Sequence, residues 1–322
     1  MEANLRWILV TAVAPVAWGV NYFVTQRFLP PDHPLSGAAV RALPAGLLLL
    51  ALARALPRGA WWWRSVVLGL LNTSSFFVLV YTASQLLATS VASTVMALAP
   101  VVMMLAGWAL LGERPRPAHL AGAGIGMGGV CLMLLGGTGR VSLPGVLASA
   151  AAMLVSSIGF VLGKRWGTGA GLLASTAWQL VAGGLLLLPV AAVVEGPPPA
   201  LGASELLAFG YVTVVATALA FVAWFAGLRH LPAGTVGLVG LLNPVTGVVL
   251  GTSLAGEVLT PRQLAGTALI LAGILLGRPV KAGRARPAVS PPRLRTPPPG
   301  SSAGAPRTKN RPAPGPTPPA GR

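Results

Sequence analysis

The sequence predicts an all-α integral membrane protein: ten transmembrane helices forming two inverted five-helix repeats, followed by a disordered C-terminal tail. Three observations predict it. Of 322 residues, 54% are hydrophobic and 9% charged, with a mean hydropathy of +0.74, whereas a soluble domain carries about 25% charged residues. So little charge does not coat a globule of this size. Second, apolar runs of spanning length recur along the chain. Third, LLGERPRPAHLAG (Leu110–Gly122) returns 144 residues later as LAGEVLTPRQLAG (Leu254–Gly266), with seven of thirteen positions identical.

A span needs about 20 mostly apolar residues. The first, Trp7–Val24, follows Arg6 and contains Ala12-Val13-Ala14, which resembles a signal-peptide cleavage site. Its apolar character continues well past that point, so it is kept as a span. Leu35–Leu56 follows, carrying Arg41 near its start. Val66–Leu87 comes after Trp61-Trp62-Trp63, which sits between Arg58 and Arg64 as an interfacial anchor. Val91–Leu111 contains Pro100. Leu120–Gly136 contains a nominal G-x-G-x-x-G (Gly124, Gly126, Gly129). That fingerprint needs a preceding strand and an acid about 20 residues on. Here the surroundings are an apolar helix and no acid follows until Glu195, so the glycines read as close helix packing. Cys131, alone in this run, forms no intramolecular disulfide and reads as a small packing residue. The second set of spans is Leu143–Leu162, Leu172–Val194, Leu206–Leu228, Thr235–Ala255 (with Pro244) and Gln263–Gly277.

Lys and Arg distribution sets direction. With the N-terminus inside, the inside loops carry Arg6, Arg54, Arg58, Arg64, Arg114, Arg116, Lys164, Arg165 and Arg229. The outside loops carry only Arg27, Arg140 and Arg262. Both termini are therefore expected in the cytoplasm, in a multi-pass plasma-membrane protein. The net charge of +17 does not indicate nucleic acid, because nine of the 23 Lys and Arg lie in the tail from Lys281 to Arg322. That tail is rich in Pro, Gly and Ser and is expected to be disordered; its basic groups suit solvent or anionic lipid.

The match between the halves extends beyond the motif. At the same offset Pro100 pairs with Pro244, Gly107 with Gly251 and Gly129 with Gly273; Tyr81 pairs with Phe225 and Gln85 with Arg229. At slightly different offsets Gly19 faces Gly159, and Leu47–Leu50 faces Leu185–Leu188. The halves are residues 1–140 and 141–280, with the tail at 281–322. Five spans per half invert the second copy, placing Glu113 at the inside face and Glu257 at the outside face. Inverted repeats are an architecture of secondary transporters, whose halves rock about a site near the bilayer middle.

Two five-helix copies, each with a Pro inside its fourth helix and an L-x-G-E break thirteen residues later, resemble the EamA-type drug/metabolite transporters. The L-A-G opening of each fifth helix, Ala17-Trp18-Gly19-Val20-Asn21 and Arg41 add to the resemblance, which covers residues 7 to 278. It implies a ten-helix fold exporting or importing small metabolites such as amino acids or related compounds. The second copy departs at Ser157-Ile158-Gly159-Phe160-Val161, which lacks the Trp and Asn.

Polar groups within spans usually face the bundle interior, though many only bridge helices. The substrate-contact candidates are Trp18, Asn21, Arg41, Tyr81, Trp178, Gln179, Trp224 and Asn243. Arg41 reads either as an anchor snorkelling to the outer interface or as a substrate or gate contact. Gly112 and Gly256 read as helix terminators, with Glu113 and Glu257 reaching the amides of the next helix; the alternative is a gate contact or proton site. Pro100 and Pro244 are candidates for bends that matter to gating, each removing a backbone hydrogen bond inside a span.

Three scattered His and one Cys make no metal cluster, and neither a metal nor another cofactor is expected. The alternative function, an integral membrane enzyme such as an acyl or glycosyl transferase, calls for a cluster of His, Asp, Glu, Cys or Lys near one face. The expected partners are membrane lipid and a small-molecule substrate, with either a monomer or a homodimer. No titratable acid lies mid-span, so solute movement down its own gradient, or exchange, is expected over proton coupling.

Overall fold

The structure is a computed structural model and describes residues 2–87, 95–134, 142–167, 169–197, 200–254 and 261–276. Among them every regular element is helical. Helix α1 spans Glu2–Phe28 and α2 Pro34–Ala53, with Pro34 in the first turn, where a missing N–H leaves nothing unpaired. Helix α3 spans Trp61–Leu86 and holds a π turn at Leu70–Ser75. A 3₁₀ turn, Met96–Leu98, leads into α4, Ala99–Leu111. Then come α5 (Pro117–Leu134), α6 (Leu143–Trp166), capped by Ser142, and α7 (Leu172–Val194). Helix α8, Ala203–His230, holds a second π turn at Val214–Leu219. The chain continues through α9 (Ala233–Gly240), α10 (Leu242–Leu254) and α11 (Pro261–Leu276).

Six helices are long and apolar enough to cross a membrane: Leu5–Phe28, Pro34–Ala53, Trp61–Leu86, Leu143–Trp166, Leu172–Val194 and Ala203–His230. Their outward faces carry leucine and valine, including Leu9, Leu52, Leu147, Val193 and Leu207. Polar side chains turn the other way: Asn21, Asn72, Thr73, Gln179, Thr217 and Asn243 are all buried. That inversion of the soluble pattern is what lipid as solvent demands, since an unpaired polar group in hydrocarbon is costly.

Packing runs between the two sequence halves. Helix α2 lies on α7, α5 on α11, and α4 on α9 and α6. Helix α1 lies on α10 and on the Ala220–His230 part of α8; the Phe76–Leu86 part of α3 lies on α6. Small residues let these backbones approach. A Cβ on Gly46 would lie 2.7 Å from the Val181 nitrogen, and one on Gly129 2.6 Å from the Gly266 carbonyl oxygen. Of the nominal fingerprint glycines, Gly126 and Gly129 pack closely while Gly124 faces open space.

Several expectations are corrected. The ninth span is broken at Leu241, whose N–H donates to Leu238 O (3.1 Å) in a tightened turn. Pro244 therefore sits in the first turn of α10, and Pro100 in the first turn of α4 after the 3₁₀ turn. Each interruption begins at the residue four before the proline, Met96 for Pro100 and Gly240 for Pro244, where the ring removes a helical hydrogen bond and crowds the carbonyl, so the expected bends take the form of a 3₁₀ turn and a break. Trp61-Trp62-Trp63, read as an interfacial anchor, forms the first turn of α3. Cys131 is exposed rather than packed into the interior. Residues 91–94 of the fourth span, Gly256, Glu257 and the tail lie outside the described residues.

Candidate functional site

Where α1, α2, α3 and the start of α10 converge, a cavity of about 20 Å³ is lined by Trp18, Asn21, Tyr22, Arg41, Phe76, Val80, Met96 and Asn243. Four sequence candidates thus meet at one point. Met96 and Asn243 come from the two places where a helix is interrupted, the 3₁₀ turn before α4 and the break before α10. A cavity of this size holds a water molecule and is far below the 300–1,000 Å³ or so of an organic-ligand site. The arrangement is closed around its polar groups.

Arg41 is 4% exposed, and its side chain turns into the bundle. Its Nε donates to Thr217 Oγ1 (3.1 Å), and its guanidinium lies 4.0 Å from the Phe77 ring centre. The snorkelling reading is therefore overturned. Trp18 Nε1 donates to the Ala216 carbonyl (2.9 Å) in the π turn of α8, a carbonyl that a π turn can leave short of a helical partner. Trp18 also packs on Trp224 (5.1 Å between ring centres) and on Phe221 (5.8 Å), in a layer continued by Phe160 and Phe225. Asn21 Oδ1, Asn243 Oδ1 and Trp224 Nε1 are buried without a hydrogen-bond partner.

The remaining candidates lie elsewhere. Gln179 Oε1 accepts from Asn72 Nδ2 (2.9 Å), joining α7 to the π turn of α3. Trp178 Nε1 donates to Ala55 O (2.7 Å) and its ring packs on Trp61, at the bundle end that carries the α2–α3 loop. Tyr81 lies toward the other end, donating to Pro30 O (2.5 Å). There Glu195 accepts from the Leu35 and Ser36 amides (2.6 and 2.8 Å), placing a carboxylate on the N-terminus of α2.

Gly112 ends α4 in the left-handed region at φ 70°, as expected of a helix terminator. Glu113, however, does not serve the next helix, α5. Its Oε2 accepts from the Ala233 amide at the start of α9 (2.9 Å), and its Oε1 lies 2.5 Å from Lys164 Nζ. Lys164 also donates to Leu231 O (2.8 Å). One carboxylate so ties α4 to α6 and α9. Beside it opens a cavity of about 320 Å³ whose lining includes Arg114, Arg116, His119, Lys164, Arg229 and His230. Gly256 and Glu257, the second copy of the motif, are not among the described residues.

Sequence reasoning missed Lys164, Glu195 and the phenylalanines around Trp18. It also missed the π turns, although they carry the repeat: the offset of 144 residues that relates Leu70 to Val214 also relates Ser75 to Leu219. Thr73 and Thr217 match at that offset, and each bears on the second helix of the other half, through Gln179 O and Arg41 Nε.

Comparison with known proteins agrees with a helical membrane bundle of this kind. A solved crystal structure superposes with a TM-score of 0.70 over 84% of this chain and 98% of that chain, at 24% identity, a likeness of fold. Protein PecM of Dickeya dadantii is 35% identical over 280 residues, covering 86% of this chain and 94% of its own. The inner membrane transporter YedA of Escherichia coli, described as uncharacterized, is 28% identical over 86% of this chain and 92% of its own. A Streptantibioticus cattleyicolor protein named "Probable terminal-alkyne amino-acid exporter" is 29% identical over 88% of this chain and 97% of its own. Residues 5–135 and 143–277 each match the EamA-like transporter family, so this multi-pass membrane protein belongs to that family.

Proposed function

We propose that the protein is a secondary transporter, an exporter or exchanger of small organic metabolites such as amino acids or related compounds. It works by alternating access between two inverted five-helix repeats, residues 1–140 and 141–280. In this reading ten spans cross the membrane, both termini are cytoplasmic, and the tail from 281 is a solvated extension. Membrane lipid and the solute are the partners.

The carrying observation is reciprocal contact between the halves. A Cβ on Gly129 would meet the carbonyl of Gly266, and one on Gly273 the carbonyl of Gly122; the 144-residue offset exchanges the two pairs. That is the signature of a two-fold interface, where residue i meets j and j's counterpart meets i's. The paired π turns and the two helix interruptions obey the same relation. Interrupted helices at the repeat interface are where carriers of this architecture hold their solute. The relative named "Probable terminal-alkyne amino-acid exporter" favours substrates of that class. The carboxylates at helix ends, Glu113 and Glu195, already serve helix N-termini, which favours downhill movement or exchange over proton coupling.

The test uses liposomes containing the purified full chain and loaded with isotopically labelled amino acids. Protein-dependent exit, accelerated by unlabelled amino acid outside and indifferent to an imposed pH gradient, is expected. Uphill accumulation driven by the gradient, abolished by Glu113→Gln, would replace exchange with proton coupling.

A further inference from the structure

Arg41 is a charged side chain buried among apolar helices. It stands seven residues along α2, about 10 Å from the helix start at 1.5 Å per residue, and is 4% exposed. Among the described residues no carboxylate pairs with it; its face lies on the Phe77 ring and its Nε donates to Thr217, the one hydrogen bond it makes among the described residues. A guanidinium has five N–H donors in a fork shaped for a carboxylate. Burying such a charge without a counter-ion is unfavourable, so its place at a cavity wall calls for a compensating role. On the same wall Asn21 Oδ1 and Asn243 Oδ1, side chains 2% and 5% exposed, accept no hydrogen bond.

The other half of the molecule supplies a control. At the offset of 138 that pairs Leu47–Leu50 with Leu185–Leu188, Arg41 corresponds to Gln179. Gln179 bears on the opposite π turn as Arg41 does, yet it is neutral and its carbonyl is taken by Asn72. The scaffold therefore needs a polar contact at this place and not a positive charge. The larger cavity at the Glu113 end repeats the bias, with Arg114, Arg116, Lys164 and Arg229 around one carboxylate that is already paired. A basic mouth concentrates anions.

We propose that Arg41 receives the carboxylate of the transported solute, while Asn21 and Asn243 accept from an N–H or O–H donor beside it. The solute class is then a small 2-amino or 2-hydroxy acid, recognised through its acid group. One unpaired guanidinium matches one carboxylate, bound through two parallel N–H···O contacts. The inference rests on the transporter reading above.

The experiment loads liposomes containing the full chain with aliphatic and aromatic 2-amino acids and 2-hydroxy acids, each beside its carboxamide. Protein-dependent loss of every compound is read by mass spectrometry for the wild type, Arg41→Gln and Arg41→Lys. The expected result is exit of acids over their amides, reduced more than tenfold by Arg41→Gln and partly restored by Arg41→Lys. Thermal unfolding should show Arg41→Gln at least as stable as the wild type, because no buried counter-ion is orphaned. A merely structural arginine would instead lower stability along with transport, and that result would overturn the assignment. Amides leaving as fast as acids, or acids leaving unchanged from Arg41→Gln liposomes, would also overturn it while the transporter reading stands. Protein-dependent exit of no compound at all would contradict both.

Discussion

Glu113 is placed by its neighbours in the chain and used by residues far away. Gly112 supplies the left-handed turn that ends α4, and the Glu113 N–H bonds back to Gly107 O (3.2 Å). The carboxylate then reaches Lys164 and the first amide of α9. Repetition of the motif singled out the glutamate, but its partners were invisible because nothing in the sequence ties 113 to 164 or 233. Lys164 offered one signal, being the only lysine before residue 281. Both side chains are partly exposed, at 30% and 18%, so the pair contributes about 1 kcal/mol or less. Glu113→Gln should therefore leave thermal stability nearly unchanged. It should nonetheless raise thiol labelling of Phe160→Cys from the Glu113 side severalfold, with Cys131 replaced. Unchanged labelling would mean that the ion pair does not hold that end shut. Arg41 was legible as an anomaly, a lone charge inside a span, yet its inward direction was not, since the rotation of the helix about its axis decides whether the side chain faces lipid or the bundle.

At the scale of elements, hydropathy located the helices because a span must be apolar over its whole length. It did not locate the interruptions. The run through Leu238, Val239, Leu241 and Leu242 is as apolar across the break as within the helices, and only Pro244 marks it, by leaving the carbonyl of Gly240 four residues earlier without a helical donor. The π turns have no composition of their own, so only the shared offset reveals them. They matter because each meets the second helix of the other half. Asn72→Leu should leave Gln179 Oε1 buried without a donor and cost about 1–3 kcal/mol. The double variant Asn72→Leu/Gln179→Leu should regain much of that loss, because both polar groups go together. Thermal unfolding of the four proteins of the cycle measures the coupling; strict additivity would show that the contact does not join α3 to α7. In the same way Gly129→Ala drives a Cβ to 2.6 Å from the Gly266 carbonyl, and an overpacking cost of about 1–3 kcal/mol is expected. An equal or higher melting temperature would show that α5 and α11 are free to separate.

For the whole molecule, the internal repeat in the sequence and the contacts between halves describe one relation. The pairs α2 with α7 and α5 with α11 each join counterpart helices, while α1 with α8 exchanges with α6 with α3, and α1 with α10 exchanges with α6 with α4. Sequence alone gave the doubling but not this pairing, since identity at an offset says which residues correspond and not which ones touch. The tail enters none of it on composition: deleting residues after 284 should leave insertion and solute exit intact in the liposome assay, and loss of exit by an inserted truncation would give the tail a part in transport. The proposed mechanism requires the two copies to face opposite sides of the membrane. Sided labelling tests it most directly, with Cys131 replaced and single cysteines at Arg114→Cys and Glu257→Cys in intact cells and in inverted vesicles. An impermeant thiol reagent should reach position 114 only from the cytoplasmic side and position 257 only from outside. Labelling of both positions from the same side would contradict the inverted repeat and the mechanism built on it.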